Sequence, residues 1–199
     1  MTINKKQALR VGFDLDGVLL YNPARIVRPL IALLKRKKIA INRKELEFYV
    51  PESGFKQFLW ELLHKSSLFL APGFDQIEKL KAQGLIEPYL ITGRFCHLKK
   101  DYLKWKKKMN ADDLFLKCYI NDHDEQPHLF KERIIQELKL DVFVEDNWDI
   151  VKYLDQSHYT TRIYWITNII DYRLEYPQKF LSLKLALKAL KILASNKKD

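Results

Sequence analysis

Short apolar runs alternate with amphipathic stretches along the chain. Leu9 to Phe13 (LRVGF) is partly β-branched or aromatic and runs into Asp14-Leu15-Asp16-Gly17, the pattern of a strand that stops at a loop. From Pro23 to Lys38 the apolar residues Ile26, Leu30, Leu33 and Leu34 fall on one helical face, and Phe55 to His64 does the same with Phe55, Phe58, Leu59 and Leu62. Pro72-Gly73 precedes a third predicted helix, Phe74 to Gln83, which Gly84 ends. A strand then runs from Pro88 to the polar loop at Thr92-Gly93-Arg94, and a basic helix from about Leu98 to Lys108. Leu114 to Ile120 reads as a strand, followed by an acidic loop through Asp122, Asp124 and Glu125. Lys131 to Leu138 is helical, Asp141 to Val144 is a buried-strand pattern closed by Glu145-Asp146-Asn147, and Arg162 to Thr167 is a last strand.

Helices alternating with short apolar strands predict an α/β fold, Rossmann-like, with a mainly parallel sheet flanked by helices. The interval from Asp14 to Thr92 exceeds the roughly 30 residues of a single βαβ crossover. The excess predicts a small helical cap inserted after the first strand. The expected division is a core of residues 1–21 and 71–175, a cap of 22–70, and a basic amphipathic C-terminal helix in 176–199.

Composition adds limits. The 199 residues are 47% hydrophobic and 30% charged, which excludes a disordered chain, and 6 Gly with 7 Pro excludes collagenous or low-complexity classes. Cys96 and Cys118 have neither the number for a disulfide framework nor metal-knuckle spacing. Asp14 and Asp16 interrupt the apolar stretch behind the N-terminal basic residues, so no signal-peptide core forms there, and no apolar run reaches membrane-spanning length. A soluble, cytoplasmic protein is expected. Lys and Arg number 35 against 25 Asp and Glu, a formal charge of +10 that fits phosphorylated ligands, nucleic acid, an anionic membrane or a solvated surface.

The candidate chemistry sits at strand ends, where open α/β sheets bind ligands. Asp14 and Asp16 follow the first strand, Thr92 and Gly93 the second, and Glu145 and Asp146 the Asp141 to Val144 strand; Lys131 opens the preceding helix. Carboxylates converging from two strand ends need a positive partner, because like charges a few ångströms apart repel. A hard divalent cation such as Mg²⁺ takes such oxygen ligands together with a substrate phosphate.

The motifs F-D14-L-D16-G-V18, L-I-T92-G-R94, K131-E-R and V-E145-D146-N, in this order, resemble those of the haloacid dehalogenase-like (HAD) phosphotransferase superfamily. Within it, T92-G-R94, H128-L-F-K131 and D141-V-F-V-E145-D146 are most similar to the 5'(3')-deoxyribonucleotidase-like group and its bacterial nucleotidase-like relatives. The resemblance implies an Mg²⁺-dependent phosphomonoester phosphatase. Asp14 would be the nucleophile and Asp16 the general acid and base. Thr92, Gly93, Lys131 and Arg94 would hold the phosphoryl group. Asp14, the Asp16 carbonyl and Asp146 would hold the metal, with Glu145 behind a metal-bound water. The implied substrate is a small phosphorylated molecule, a nucleoside monophosphate first and a sugar phosphate as the alternative.

Other readings stand beside these. Asp14-x-Asp16-Gly17 also opens an EF-hand loop, but the later ligands of that loop are missing. Arg94 fits a phosphate grip or a surface ion pair equally well, His128 reads as a solvated loop residue, and the cysteines read as packing residues. Asp149 would assist the metal or cap its helix. Phe58 and Trp60 would stack a base or fill a core. The six lysines between Lys179 and Lys198 belong to a helix packed on the domain, or to one lying on an anionic membrane or a partner. A nucleic-acid-binding or interaction protein on a degenerate core is the reading from another class, and the complete set of acidic and basic motif residues weighs against it.

Overall fold

A computed structural model describes residues 8–21, 46–48, 54–55, 57–58, 69–157, 160–167, 171 and 173–196. The helix expected over Pro23 to Lys38, Trp60 and most of the expected cap lie outside the described residues. Of the second expected helix, Phe55 and Phe58 are helical and exposed.

Six parallel strands form the central sheet: β1 (Leu9–Phe13), β4 (Ile86–Thr92), β5 (Lys117–Ile120), β6 (Val142–Glu145), β7 (Arg162–Ile166) and β8 (Lys179–Phe180), in the order β5-β4-β1-β6-β7-β8. The chain thus builds outward from β1 on one side and then returns to build on the other, and the order reverses between β1 and β6. That crevice is where doubly wound sheets bind ligands. β2 (Leu20–Tyr21) and β3 (Phe69–Leu70) form a separate antiparallel ribbon, with Leu20 opposite Leu70 and Tyr21 opposite Phe69. The chain therefore leaves and re-enters beside the end of β1.

Both sheet faces are covered, which is why the strands are nearly continuous apolar runs. One face packs against α1 (Asp75–Ala82), α2 (Lys99–Lys108), the single turn α3 (Ala111–Leu114) and α6 (Leu183–Asn196). There Val11, Phe13, Val142 and Val144 meet Ile77, Leu80, Tyr102, Trp105 and Leu187. The other face packs against α4 (Pro127–Leu138) and α5 (Trp148–Gln156), joining Ile91, Phe143 and Trp165 to Phe130, Ile134, Ile135, Val151 and Leu154. Gly12 lies under this second layer, where an added Cβ would sit 2.6 Å from Leu140 Cδ1 and 2.8 Å from Phe143 Cδ2.

Several boundaries differ from the sequence expectation. α4 begins at Pro127 rather than Lys131, with proline in the first turn where its missing N–H costs nothing, so Lys131 projects from inside the helix. Residues Ala111–Leu114 form a helical turn, and the strand begins only at Lys117. Pro88 lies within central β4. Its missing N–H is harmless because β5 pairs only from Lys117 opposite Tyr89 onward. Lys179 and Phe180, read as helix, join the sheet as β8. The following helix buries Leu183, Ala186, Leu187, Leu190 and Ala194 against the domain, the packed alternative of the two sequence readings. Among the described residues no helix is long and apolar enough to cross a membrane.

Candidate active site

Strand alternation decides which carboxylates meet. In β6, Val142 and Val144 point into the first layer while Phe143 and Glu145 point toward α4, from which Lys131 projects. Lys131 Nζ donates to Glu145 Oε2 at 2.6 Å and lies 3.2 Å from Asp14 Oδ1; all three side chains are buried. Asp14 is anchored by its backbone N–H, which donates to Val144 O at 3.0 Å and so ties the ends of β1 and β6 together.

Oxygens of Asp14, Glu145 and Asp146 lie within 4.8 Å of one another. One lysine cannot neutralise three clustered acids. Burial pushes the Asp14 carboxyl well above the ordinary range; Lys131 opposes this, and Glu145, Asp146 and Asp16 add to it. Burial also raises Glu145 against the pull of Lys131. Lys131 is raised despite burial because Asp14 and Glu145 outweigh the desolvation, so it stays charged. An all-oxygen donor set with surplus negative charge fits a hard divalent cation. Glu145 is already engaged at both oxygens. Oε2 takes Lys131, and Oε1 accepts from the backbone N–H groups of Asp146 (3.1 Å) and Asn147 (3.0 Å). It therefore shapes the loop between β6 and α5.

Thr92 ends β4 and is buried; its Oγ1 accepts from the Arg94 backbone N–H at 3.3 Å, which leaves the hydroxyl proton to donate. Gly93 packs against the start of α4, where a Cβ would come within 2.9 Å of Pro127 Cβ and 3.5 Å of Lys131 Cε. Arg94 and Asp16 are where the structure departs most from expectation. Arg94 is buried and forked onto Asp16, with Nε to Oδ2 at 2.7 Å and Nη2 to Oδ1 at 2.8 Å, while Nη1 donates to Asp101 Oδ2 at 2.7 Å. It is not a surface pair, and its guanidinium nitrogens already donate to two carboxylates. Burial opposes its charge, but the two carboxylates more than compensate and raise its pKa.

Sequence reasoning missed several supporting groups. Trp165 Nε1 donates to Asp146 O at 3.2 Å and fixes the second acidic loop. Asn147, not Asp149, caps α5, accepting from the Asp149 N–H at 3.0 Å. Gln126 pairs like a strand with residue Phe48, accepting from its N–H at 2.7 Å and donating to its O at 3.2 Å. His128 is buried rather than solvated, and its ring lies between Phe48 (5.8 Å) and Tyr153 (4.6 Å). Cys118 packs against the core as expected, whereas Cys96 is exposed.

Solved structures with similar folds span nearly the whole chain. A Bacillus subtilis protein named as a HAD-hydrolase, YfnB, in a structure bound to magnesium, superposes with a TM-score of 0.59 at 12% identity, covering 93% of this chain and 99% of its own. A Thermotoga maritima protein assigned as a beta-phosphoglucomutase gives 0.57 at 16% identity, with 93% and 99% covered. CbbY from Rhodobacter sphaeroides, in complex with xylulose-1,5-bisphosphate, gives 0.56 at 13% identity, with 89% and 96% covered. No protein-family model matches the sequence. A search of curated proteins finds no match. The fold is that of HAD-superfamily hydrolases.

Proposed function

We propose that the chain is an Mg²⁺-dependent phosphomonoester phosphatase that works through an aspartyl-phosphate on Asp14. The observation that carries this reading is the convergence of Asp14, Lys131, Glu145 and Asp146 in the crevice between β1 and β6. Asp14, Asp146 and the Asp16 carbonyl would hold the metal, which when bound supplies neutralisation of the phosphoryl oxygens and keeps them in place for in-line attack.

Asp14 attacks phosphorus, forming a carboxylate oxygen to phosphorus bond as the ester oxygen leaves. Asp16 gives its proton to that leaving oxygen and then takes one from the water that attacks the aspartyl-phosphate, releasing phosphate and restoring Asp14. Lys131, the Thr92 hydroxyl and the Gly93 amide stabilise charge on the transferring oxygens. A cap formed by the insertion between β2 and β3 would cover this crevice, and its Phe48 meets the core at Gln126 and His128.

Sugar phosphates are the favoured substrates. The similar structures include one with a bound sugar bisphosphate and one assigned to a phosphoglucomutase, and these support sugar phosphates over the nucleoside monophosphates of the sequence resemblance. The two unpaired thiols suit a reducing cytoplasm. A panel of sugar phosphates and nucleoside monophosphates, assayed with Mg²⁺ and with chelator, tests the reading. Metal-dependent release of phosphate, greatest for a sugar phosphate, is expected; equal turnover in chelator would overturn it.

A further inference from the structure

Arg94 and Asp16 are 78 positions apart in sequence yet share a two-bond fork in which Arg94 is only 3% exposed. Asp101, in the first turn of α2, holds the same guanidinium from its remaining edge at 2.7 Å. This arrangement fixes both partners. A guanidinium is planar and rigid, so a bidentate fork sets the plane of the carboxylate as well as its position. A carboxyl group offers about four lone-pair directions, and the fork occupies two of those of Asp16, so the proton it delivers and later takes up must lie along another.

We infer that Arg94 is a positioning residue for Asp16, anchored by Asp101, and not a ligand of the substrate phosphate. The inference rests on the phosphatase reading, in which Asp16 moves the proton. Proton transfer in the reaction needs a heavy-atom separation of about 2.6–3.2 Å, so a carboxylate free to rotate loses much of its effect. Arg94 acts on the rate only through Asp16, and its removal matters little once Asp16 is gone.

The test is a double-mutant cycle with Arg94→Met and Asp16→Asn, read by steady-state kinetics and by calorimetric binding of inorganic phosphate in the presence of Mg²⁺. Arg94→Met is expected to lower kcat by about 10- to 100-fold, below or within the usual span of an acid-base group, with KM little changed. In the Asp16→Asn background the further loss is about threefold or less, because residues acting as one unit are not additive. Phosphate affinity stays within about twofold in Arg94→Met, as no phosphate contact is lost.

A tenfold or greater weakening of phosphate binding, or losses that simply multiply in the double variant, would overturn the inference. Should Arg94→Met fail to fold, Asp101→Asn retains both Arg94 and Asp16 and weakens only the charged anchor of the guanidinium. It is expected to lose about three- to tenfold in kcat, again only where Asp16 is present, and full retention contradicts the role of the anchor. A folded wild-type protein that releases phosphate from no ester sinks the phosphatase reading itself, an outcome distinct from an active enzyme indifferent to Arg94.

Discussion

Lys131 Nζ and Glu145 Oε2 are 2.6 Å apart at the meeting of α4 and β6, with both side chains buried. The pair does two tasks, since the same ammonium also reaches Asp14 and the same carboxylate holds the loop amides of Asp146 and Asn147. Lys131→Met leaves Asp14 and Glu145 buried without their cation. Breaking a buried pair from one side costs about 3–5 kcal/mol. Denaturant unfolding should register a loss of that order, together with loss of nearly all turnover; a variant as stable and active as wild type would show that the pair is idle.

The surplus of acid around Asp14 predicts how metal and pH couple. The Asp14 pKa is raised in the metal-free fold, so its contribution to stability is present below its unfolded value and is lost as pH rises through the folded value. A cation that replaces the proton reverses that loss. Mg²⁺ should therefore raise the thermal midpoint more at pH 8 than at pH 5.5, and Asp146→Asn should remove most of the effect. A shift independent of pH, or untouched by Asp146→Asn, would place the ion elsewhere.

Gly93 is confined by its neighbours. A methyl group there would lie 2.9 Å from Pro127 Cβ, closer than carbon atoms pack, and the first turn of α4 must move to admit it. Because α4 carries Lys131, the displacement reaches the phosphoryl site. Gly93→Ala is expected to cost about 1–3 kcal/mol as an overpacked position. A lower kcat should accompany that loss in parallel denaturation and activity measurements, whereas unchanged values in both would refute the confinement.

His128 offers a second pH dependence of different sign. Burial lowers its pKa from 6.5, and among the described residues its Nδ1 has no hydrogen-bond partner. The unfolded chain takes up the proton first, so the contribution of His128 is fully present above pH 6.5 and is lost as pH falls through its folded value. His128→Gln should be less sensitive than wild type to acidification from pH 7.5 to 5.5, measured as the difference between their denaturation midpoints at high Mg²⁺. Parallel curves for the two proteins would mean that the histidine titrates alike in both states.

The parts of this architecture legible in the sequence are those dictated by local pattern. β1, β4 and β6 are short apolar runs that stop at glycine or acids, β7 is one that stops at Thr167, and their parallel assembly follows from the helices between them. The meeting of Asp14, Lys131, Glu145 and Asp146 follows from the same pattern, since the acids stand at the carboxyl ends of neighbouring parallel strands and Lys131 on the helix beside them. What escaped depends on contacts distant in sequence. Nothing in T92-G-R94 says that Asp101 and Asp16 will enclose the guanidinium, and nothing near Gln126 points to Phe48. β8 escaped for another reason: two residues, Lys179 and Phe180, carry no period, and only pairing with β7 makes them a strand.

The central claim is a covalent phosphoryl group on Asp14. Rapid acid quench during turnover of a sugar phosphate with Mg²⁺, followed by peptide mass spectrometry, tests it directly. The account predicts a phosphoryl adduct on the peptide containing Asp14 that disappears when substrate is exhausted and never forms in Asp14→Asn. Steady turnover with no adduct on that peptide, or undiminished turnover by Asp14→Asn, would contradict it.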